Sequence, residues 1–396
     1  MAAEAPPAGL SPRTTGSTCL HPLSELLRIP LDQVNFVACQ LFALFAAFWF
    51  RIYLHPGKTS SEVRHAIATI LGIYFVIFCF GWYSIHLFVL VLLCYGIMVT
   101  TSVSNIHRYT FFVAMGYLTI CHISRIYIFH YGILTTDFSG PLMIVTQKIT
   151  ALAFQVHDGL GRRAEDLSAE QHRLAVKVKP SLLEYLSYLL NFMSVIAGPC
   201  NNFKDYVAFI EGRHTHMKLL GVNWKQKGFH SLLEPSPNTA TSLKIYLENW
   251  NIQTAAWLKC VCYERTPWYP TVLTFVLSAL WHGVYPGYYF TFLTGVLVTL
   301  AARAVRNNYR QHFHSSKALK VVYDVVTWAT TQLAVSYIAA PFVMLAVEPT
   351  ISLYKSMYFY LHIISLLVIL FLPIKPQAHA PRQPRTLNSV HKKKTD

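Results

Sequence analysis

Charge is what this chain has least of. Only 13% of its 396 residues are Asp, Glu, Lys or Arg, while 54% are apolar and the mean hydropathy is +0.37. A soluble globular domain devotes about a quarter of its residues to charge, so a soluble multidomain enzyme is excluded. Eight or nine membrane-crossing helices of about 20 residues each need about 160 to 180 residues, which the apolar content supplies. A disulfide framework is also missing: the eight cysteines are scattered, and Cys39, Cys79, Cys94 and Cys121 fall inside apolar runs. Cys260 and Cys262 have CxC spacing without a second pair or a suitably placed histidine, so no metal site is expected. No cleavable signal peptide is visible, because residues 1–33 form a polar segment with Pro6, Pro7, Pro12 and Pro30 and no long apolar core. No repeat of fixed period is present.

Aromatic and basic residues take the place of balanced charge. With 23 Tyr, 25 Phe and 8 Trp, the chain is the opposite of one too polar to collapse. Its 33 basic and 18 acidic residues leave a net charge of +15, which in a soluble domain would suggest nucleic acid. Here the basic residues flank apolar runs, where they set topology and meet anionic headgroups; the partner is a lipid bilayer and not nucleic acid.

The apolar runs predict an all-α polytopic transmembrane bundle. Runs at 34–54, 66–80, 84–101 and 110–129 are separated by short turns, as antiparallel packed neighbours would be. Residues 140–157, interrupted by Gln147 and Lys148, read as an interfacial helix or one buried in the bundle. The polar stretch 158–179 carries Arg162, Arg163, Arg173, Lys177 and Lys179 beside Asp158, Glu165, Asp166 and Glu170, and reads as a loop with a short surface helix. Residues 182–197 end at Gly198 and Pro199, which suits a re-entrant segment. Further segments are expected at 242–262, 271–281, 288–302, 322–345 and 353–372. Basic stretches at 303–320 and from 375 onward flank two of these spans, so both lie on one side, the cytosolic one by the positive-inside rule. The divisions are thus a polar segment 1–33, a membrane domain 34–372 and a basic cytosolic tail 373–396.

Polar groups in an apolar bundle are costly, so three clusters become candidates. In the first, Glu248 to Thr254, amides and a carboxyl precede an apolar stretch; either Asn249 or Asn251 caps a helix there, or an amide serves function. The second puts Trp281, His282 and Gly283 at the end of an apolar run. A histidine there is either a hydrogen-bonded structural residue or a proton-transfer group working near neutral pH. The third, Gly198-Pro199-Cys200-Asn201-Asn202-Phe203, reads by itself as a helix terminator.

An Asn preceded by Trp250, an apolar segment, and Trp-His-Gly with its histidine 31 residues after Asn251 together resemble the membrane-bound O-acyltransferases. The Gly198-Pro199 group followed by Phe203 resembles the Gly-Pro motif of the lysophospholipid-acylating branch. The resemblance covers almost the whole chain. It implies acyl transfer from acyl-CoA to the free hydroxyl of lysophosphatidylserine or lysophosphatidylethanolamine, with His282 as general base and Asn251 as hydrogen-bond donor to the developing oxyanion. Trp250, Trp281, Gly283, Gly198 and Pro199 would help bind substrate. No bound cofactor and no metal are implied; acyl-CoA is a co-substrate, and protein partners are not indicated. Residence in the endoplasmic reticulum is expected, as Lys393 and Lys394 stand where dilysine retrieval signals have their lysines.

One departure from the family accompanies the resemblance. Its members carry several hydrophobic segments between the Gly-Pro motif and the catalytic Asn, whereas here about fifty mostly polar residues intervene. Residues 234–242 look like the scar of an internal deletion. The alternative to an active enzyme is therefore an inactive truncated form that binds lipid or partner subunits.

Overall fold

A computed structural model describes residues 16–127, 137–213, 243–313 and 316–373. The basic tail beyond 373, the stretch 234–242 and the end of the run predicted at 110–129 lie outside the described residues. Among those described, every regular element is helical: α1 (His21–Leu27), α2 (Leu31–Tyr53), α3 (Ser61–Phe80), α4 (Ile85–Thr100), α5 (Ile106–Tyr127), α6 (Ser139–Gly161), α7 (Ala169–Leu174), α8 (Leu182–Leu190), α9 (Phe203–Ile210), α10 (Leu243–Trp250), α11 (Ile252–Leu258), α12 (Pro270–His282), α13 (Pro286–Phe313), α14 (Lys317–Met344), α15 (Val347–Ser356) and α16 (Tyr360–Phe371).

Three stretches among the described residues are long and apolar enough to cross a membrane: α2, the run of α3 and α4 over 61–100, and α13. α15 and α16 make a fourth if their bent pair is one span. On α2 the side chains of Val37, Leu41, Phe42, Phe45 and Phe48 are exposed, which in a bilayer is the lipid-facing stripe. The bundle has its main core around α6, which packs against α4, α5 and α8, and a smaller cluster where α10, α13, α14 and α16 meet.

Several boundaries differ from expectation for local reasons. α3 and α4 do not pair as antiparallel neighbours: a turn of 3-10 helix over Gly81–Ser84 joins them, α3 packs on α8, and α4 packs on α5 and α6. The segment expected at 242–262 is broken at Asn251, whose φ of −148° ends α10 before α11 begins. The span expected at 353–372 is interrupted at Tyr358 and Phe359, both in the left-handed region, and the flanking helices bend by 72°. Most of the basic stretch 303–320 is helix, since Arg303, Arg306 and Arg310 ride on the last turns of α13.

α6 takes the buried alternative, for Gln147 and Lys148 are each only 2% exposed. Asp158 is likewise no member of a solvated loop; it sits in the last turns of α6 at 2% exposure, in an ion pair with Arg265. α7 is the short surface helix, closed by a reciprocal Ser168–Gln171 cap. α8, with 9 residues, is about 13 Å long, well under the roughly 30 Å of bilayer hydrocarbon.

Candidate active site

One stripe of α6 organises the site. Met143, Gln147, Thr150, Phe154 and Asp158 recur at spacings of three and four residues and so share a face. Each meets the segment that carries the sequence motifs. The Trp281 indole N–H donates to Met143 O (3.1 Å). Gln147 Nε2 donates to Thr254 Oγ1 (2.9 Å), and the Trp257 indole N–H donates to Thr150 Oγ1 (2.8 Å). Arg265 lies over the Phe154 ring and forks onto both oxygens of Asp158. Inside an apolar bundle each of these polar groups is satisfied by a partner about a hundred residues away, which fixes the register of α11 and α12 on α6.

That register brings the motifs together. Thr254 and Trp257 meet Gln147 and Thr150, three residues apart on both helices, so α11 runs parallel to α6. Just before α11, Asn251 has extended backbone and an exposed side chain. The Trp257 and Trp281 rings pack 5.8 Å apart and close α11 against α12. The third cluster reaches the same stripe of α6, where the Cys200 thiol donates to Gln147 Oε1 (2.8 Å). Gly198, at φ +84°, makes the turn that carries it there, and its bond to Pro199 is cis.

The functional groups differ in what they leave unused. Asn251 is the N-cap of α11, its Oδ1 accepting from the Thr254 N–H at 3.1 Å. Since a backbone N–H must meet the amide oxygen, the cap orients the side chain and leaves its NH₂ available to donate. Helix capping and an amide donor role are therefore compatible in one residue. His282 ends α12, half-buried among the rings of Trp281, Tyr288, Phe292 and Phe342, with centroids 4.7 to 5.7 Å away. Gly283 follows at φ +141°, and a Cβ there would come within 3.3 Å of Tyr288. Any other residue at 283 would strain that backbone and crowd the Tyr288 ring. Trp250 is placed differently: it is 65% exposed at the end of α10 and stacks on Tyr246.

Three groups not singled out in the sequence complete the arrangement. His122 of α5 donates from Nε2 to Trp281 O (3.3 Å), bracing the backbone beside His282. Lys148 is fully enclosed and donates to Ser194 Oγ (2.5 Å) and Tyr188 O (3.2 Å), tying α6 to the chain that leads into Gly198. Gln147 joins Thr254 and Cys200. The adjacent polar pair Gln147-Lys148 was the one local signal of this role. Among the described residues no three His, Cys, Asp or Glu side chains gather in a metal-binding group.

Comparisons with known proteins identify the family. A model of the membrane-bound O-acyltransferase family matches residues 123–218 and 220–340, which include Gly198, Asn251 and His282. The human membrane-bound glycerophospholipid O-acyltransferase 1 is 69% identical, with 100% of each chain covered. Its human paralogue, membrane-bound glycerophospholipid O-acyltransferase 2, is 44% identical over 97% of this chain and 93% of its own. Lysophospholipid acyltransferase 6 of Drosophila melanogaster is 34% identical over 90% of this chain and 63% of its own. The chain belongs to the membrane-bound O-acyltransferase family and is an O-acyltransferase.

Proposed function

We propose that this enzyme transfers an acyl group from acyl-CoA to the free hydroxyl of a lysophospholipid, lysophosphatidylserine or lysophosphatidylethanolamine, in phospholipid remodelling. The observation that carries this reading is that Thr254, Trp281 and Cys200, close in sequence to Asn251, His282 and Gly198, are all bonded to neighbouring turns of α6. The relatives named for acylating glycerophospholipids and lysophospholipids support it. His282 accepts the hydroxyl proton as the oxygen attacks the thioester carbon, and the Asn251 NH₂ donates to the oxygen on which negative charge develops. Collapse of that intermediate expels the CoA thiolate, which takes the proton back from the imidazole. No resident cofactor or metal enters this scheme. Trp281, Gly283, Gly198 and Pro199 shape the wall, and Trp250 meets lipid from outside.

Asn251→Ala is expected to lower stability by about 1 kcal/mol, the usual cost of a lost cap, and to lower turnover too. Asn251→Asp separates the two effects. It keeps a cap acceptor, so thermal stability is retained, but it has no N–H to offer, so acyl transfer still falls. Retained turnover in Asn251→Asp would remove the donor role.

The alignment with the human relative runs over 495 positions, whereas this chain has 396 residues. About a hundred positions of that relative therefore lack a counterpart here. We place the gap near 234–242. The same fact favours a second reading, a catalytically inactive form that binds lipid or partner subunits. Incorporation of labelled acyl-CoA into lysophospholipid by the purified 396-residue chain, beside a version with the missing stretch restored, decides between them. Turnover by both supports the enzyme reading, and turnover by the restored form alone supports the other.

We also propose residence in the endoplasmic reticulum membrane with a cytosolic C-terminus. An engineered glycosylation site near residue 314 or in the tail should stay unmodified, and lumenal modification of either overturns the topology. Changing Lys393 and Lys394 to Ser should release part of the protein to later compartments, and unchanged retention would dismiss the retrieval signal.

A further inference from the structure

α12 ends at His282, and the end of a helix leaves its last carbonyls without partners inside it. Within an apolar bundle another segment has to supply the donors that water would otherwise provide. The Gly283 N–H meets Ala279 O at 3.1 Å. Trp281 O, the carbonyl directly before His282, is met from α5, where His122 donates to it from Nε2 at 3.3 Å. A carbonyl only accepts, so Nε2 of His122 carries a proton. The donor comes from 159 residues away and is itself buried, at 4% exposure.

The same ring reaches the residue after the histidine. A Cβ on Gly283 would stand 3.7 Å from Cγ and Nδ1 of His122, so the imidazole backs the glycine as well as bonding Trp281. His122 therefore touches the chain on both sides of His282. The His282 ring packs among other rings, and such contacts are less directional than a hydrogen bond, so the backbone at 281 and 283 sets where its Cα–Cβ bond points. His122 is held in turn. Arg125, three residues on along the same face of α5, pairs with Asp137, and the two side chains are 13% and 9% exposed. Asp137 also accepts from the Ser139 N–H at 3.0 Å, where α6 begins. α5 is thus tied to the helix whose Met143 accepts from the Trp281 indole.

We infer that His122 is a positioning residue for acyl transfer: by bonding Trp281 O and backing Gly283, it fixes the direction in which His282 presents its imidazole to the acceptor hydroxyl. The inference rests on the assignment of His282 as general base. It asks for no proton transfer by His122, whose Nε2–H stays on the carbonyl throughout. A misplacement of about 1 Å at a reacting group is enough to cost about 100-fold in rate, so a brace on the backbone has a large effect without touching substrate.

The test is steady-state acyl transfer by the purified chain, in whichever of the 396-residue and restored forms turns over. His122→Phe keeps a ring and loses the donor. Its kcat should fall about 10- to 100-fold while KM changes by no more than about twofold, because the base is misdirected and the binding surfaces are left alone. His122→Gln, whose Nε2 lies as many bonds from the backbone as that of histidine, should recover most of the loss. Tyr185→Phe is the structural control: the Tyr185 hydroxyl donates to Val91 O at 3.0 Å where α8 meets α4, so this variant also strips a buried carbonyl of a donor, yet it should keep kcat. If His122→Phe cannot be recovered folded, His122→Asn, whose amide nitrogen ends one bond short, should show the same fall. A kcat equal to the parent's in His122→Phe or His122→Asn, an equal loss in Tyr185→Phe, or a loss that glutamine does not relieve overturns the role. Full turnover by His282→Ala instead removes the general-base assignment, and this role with it. If neither form turns over, the rate at which diethyl pyrocarbonate modifies His282, mapped by mass spectrometry, reads the brace without catalysis. It should rise several-fold in His122→Phe and return toward the parent's in His122→Gln, and equal rates in all three overturn the inference.

Discussion

Replacing His282 with alanine is expected to lower acyl transfer by about 100-fold or more while the protein folds and accumulates normally. A positioned general base contributes about 10² to 10⁴ in rate, and alanine removes the whole of it. The fold should tolerate the change because His282 closes a helix, is half-buried, and meets its neighbours through ring contacts with Trp281, Tyr288, Phe292 and Phe342. Its two neighbours in sequence carry the structural bonds: Trp281 holds Met143, and Gly283 makes the turn. The loss should fall on kcat and on kcat/KM alike, since the proton is taken only as the hydroxyl attacks. Unchanged turnover in a form known to be active removes the assignment. If the 396-residue chain is inactive from the start, the comparison belongs in the restored form.

The largest effect on stability is expected from Asp158→Ala. Arg265 holds Asp158 through both oxygens, at 3.0 and 2.5 Å, and the two side chains are 15% and 2% exposed. Removing the carboxylate strands a guanidinium that still bonds Cys260 O and lies on Phe154. Breaking a buried pair in this way costs about 3 to 5 kcal/mol, a large share of the 5 to 15 kcal/mol that holds a typical protein folded. A thermal midpoint several degrees lower is the expected reading. The double variant Asp158→Leu with Arg265→Met should recover most of the loss, because the more buried of the two guanidinium groups that Asp158 pairs is gone, while Arg162, with 25% of its side chain exposed, reaches water. A double variant as unstable as the single would show that the bonds, and not the stranded charge, carry the effect. Activity should fall with the single variant as well, for this pair anchors the far end of the α6 stripe on which α11 and α12 are registered.

Residue chemistry and spacing in the sequence were enough for the membrane character and the all-α class. Those properties are local, since hydropathy sums over a window. Breaks within helices were less legible. Tyr358 and Phe359 take left-handed backbone inside an apolar run that has no glycine or proline to announce it. Asn251 was open between a cap and a functional amide, and its position allows it to be both.

What only the tertiary structure decided is which polar residues are buried and with whom. Gln147, Lys148 and Asp158 read in sequence as an interruption and the start of a loop, yet they lie in the most enclosed helix of the bundle. Their partners, Thr254, Ser194 and Arg265, are 107, 46 and 107 residues away. In an apolar bundle a polar side chain is affordable only where another segment satisfies it. No window of sequence contains that second segment, so the chain alone marks where polar groups stand, and packing determines whether they face a membrane surface, a structural partner or a substrate.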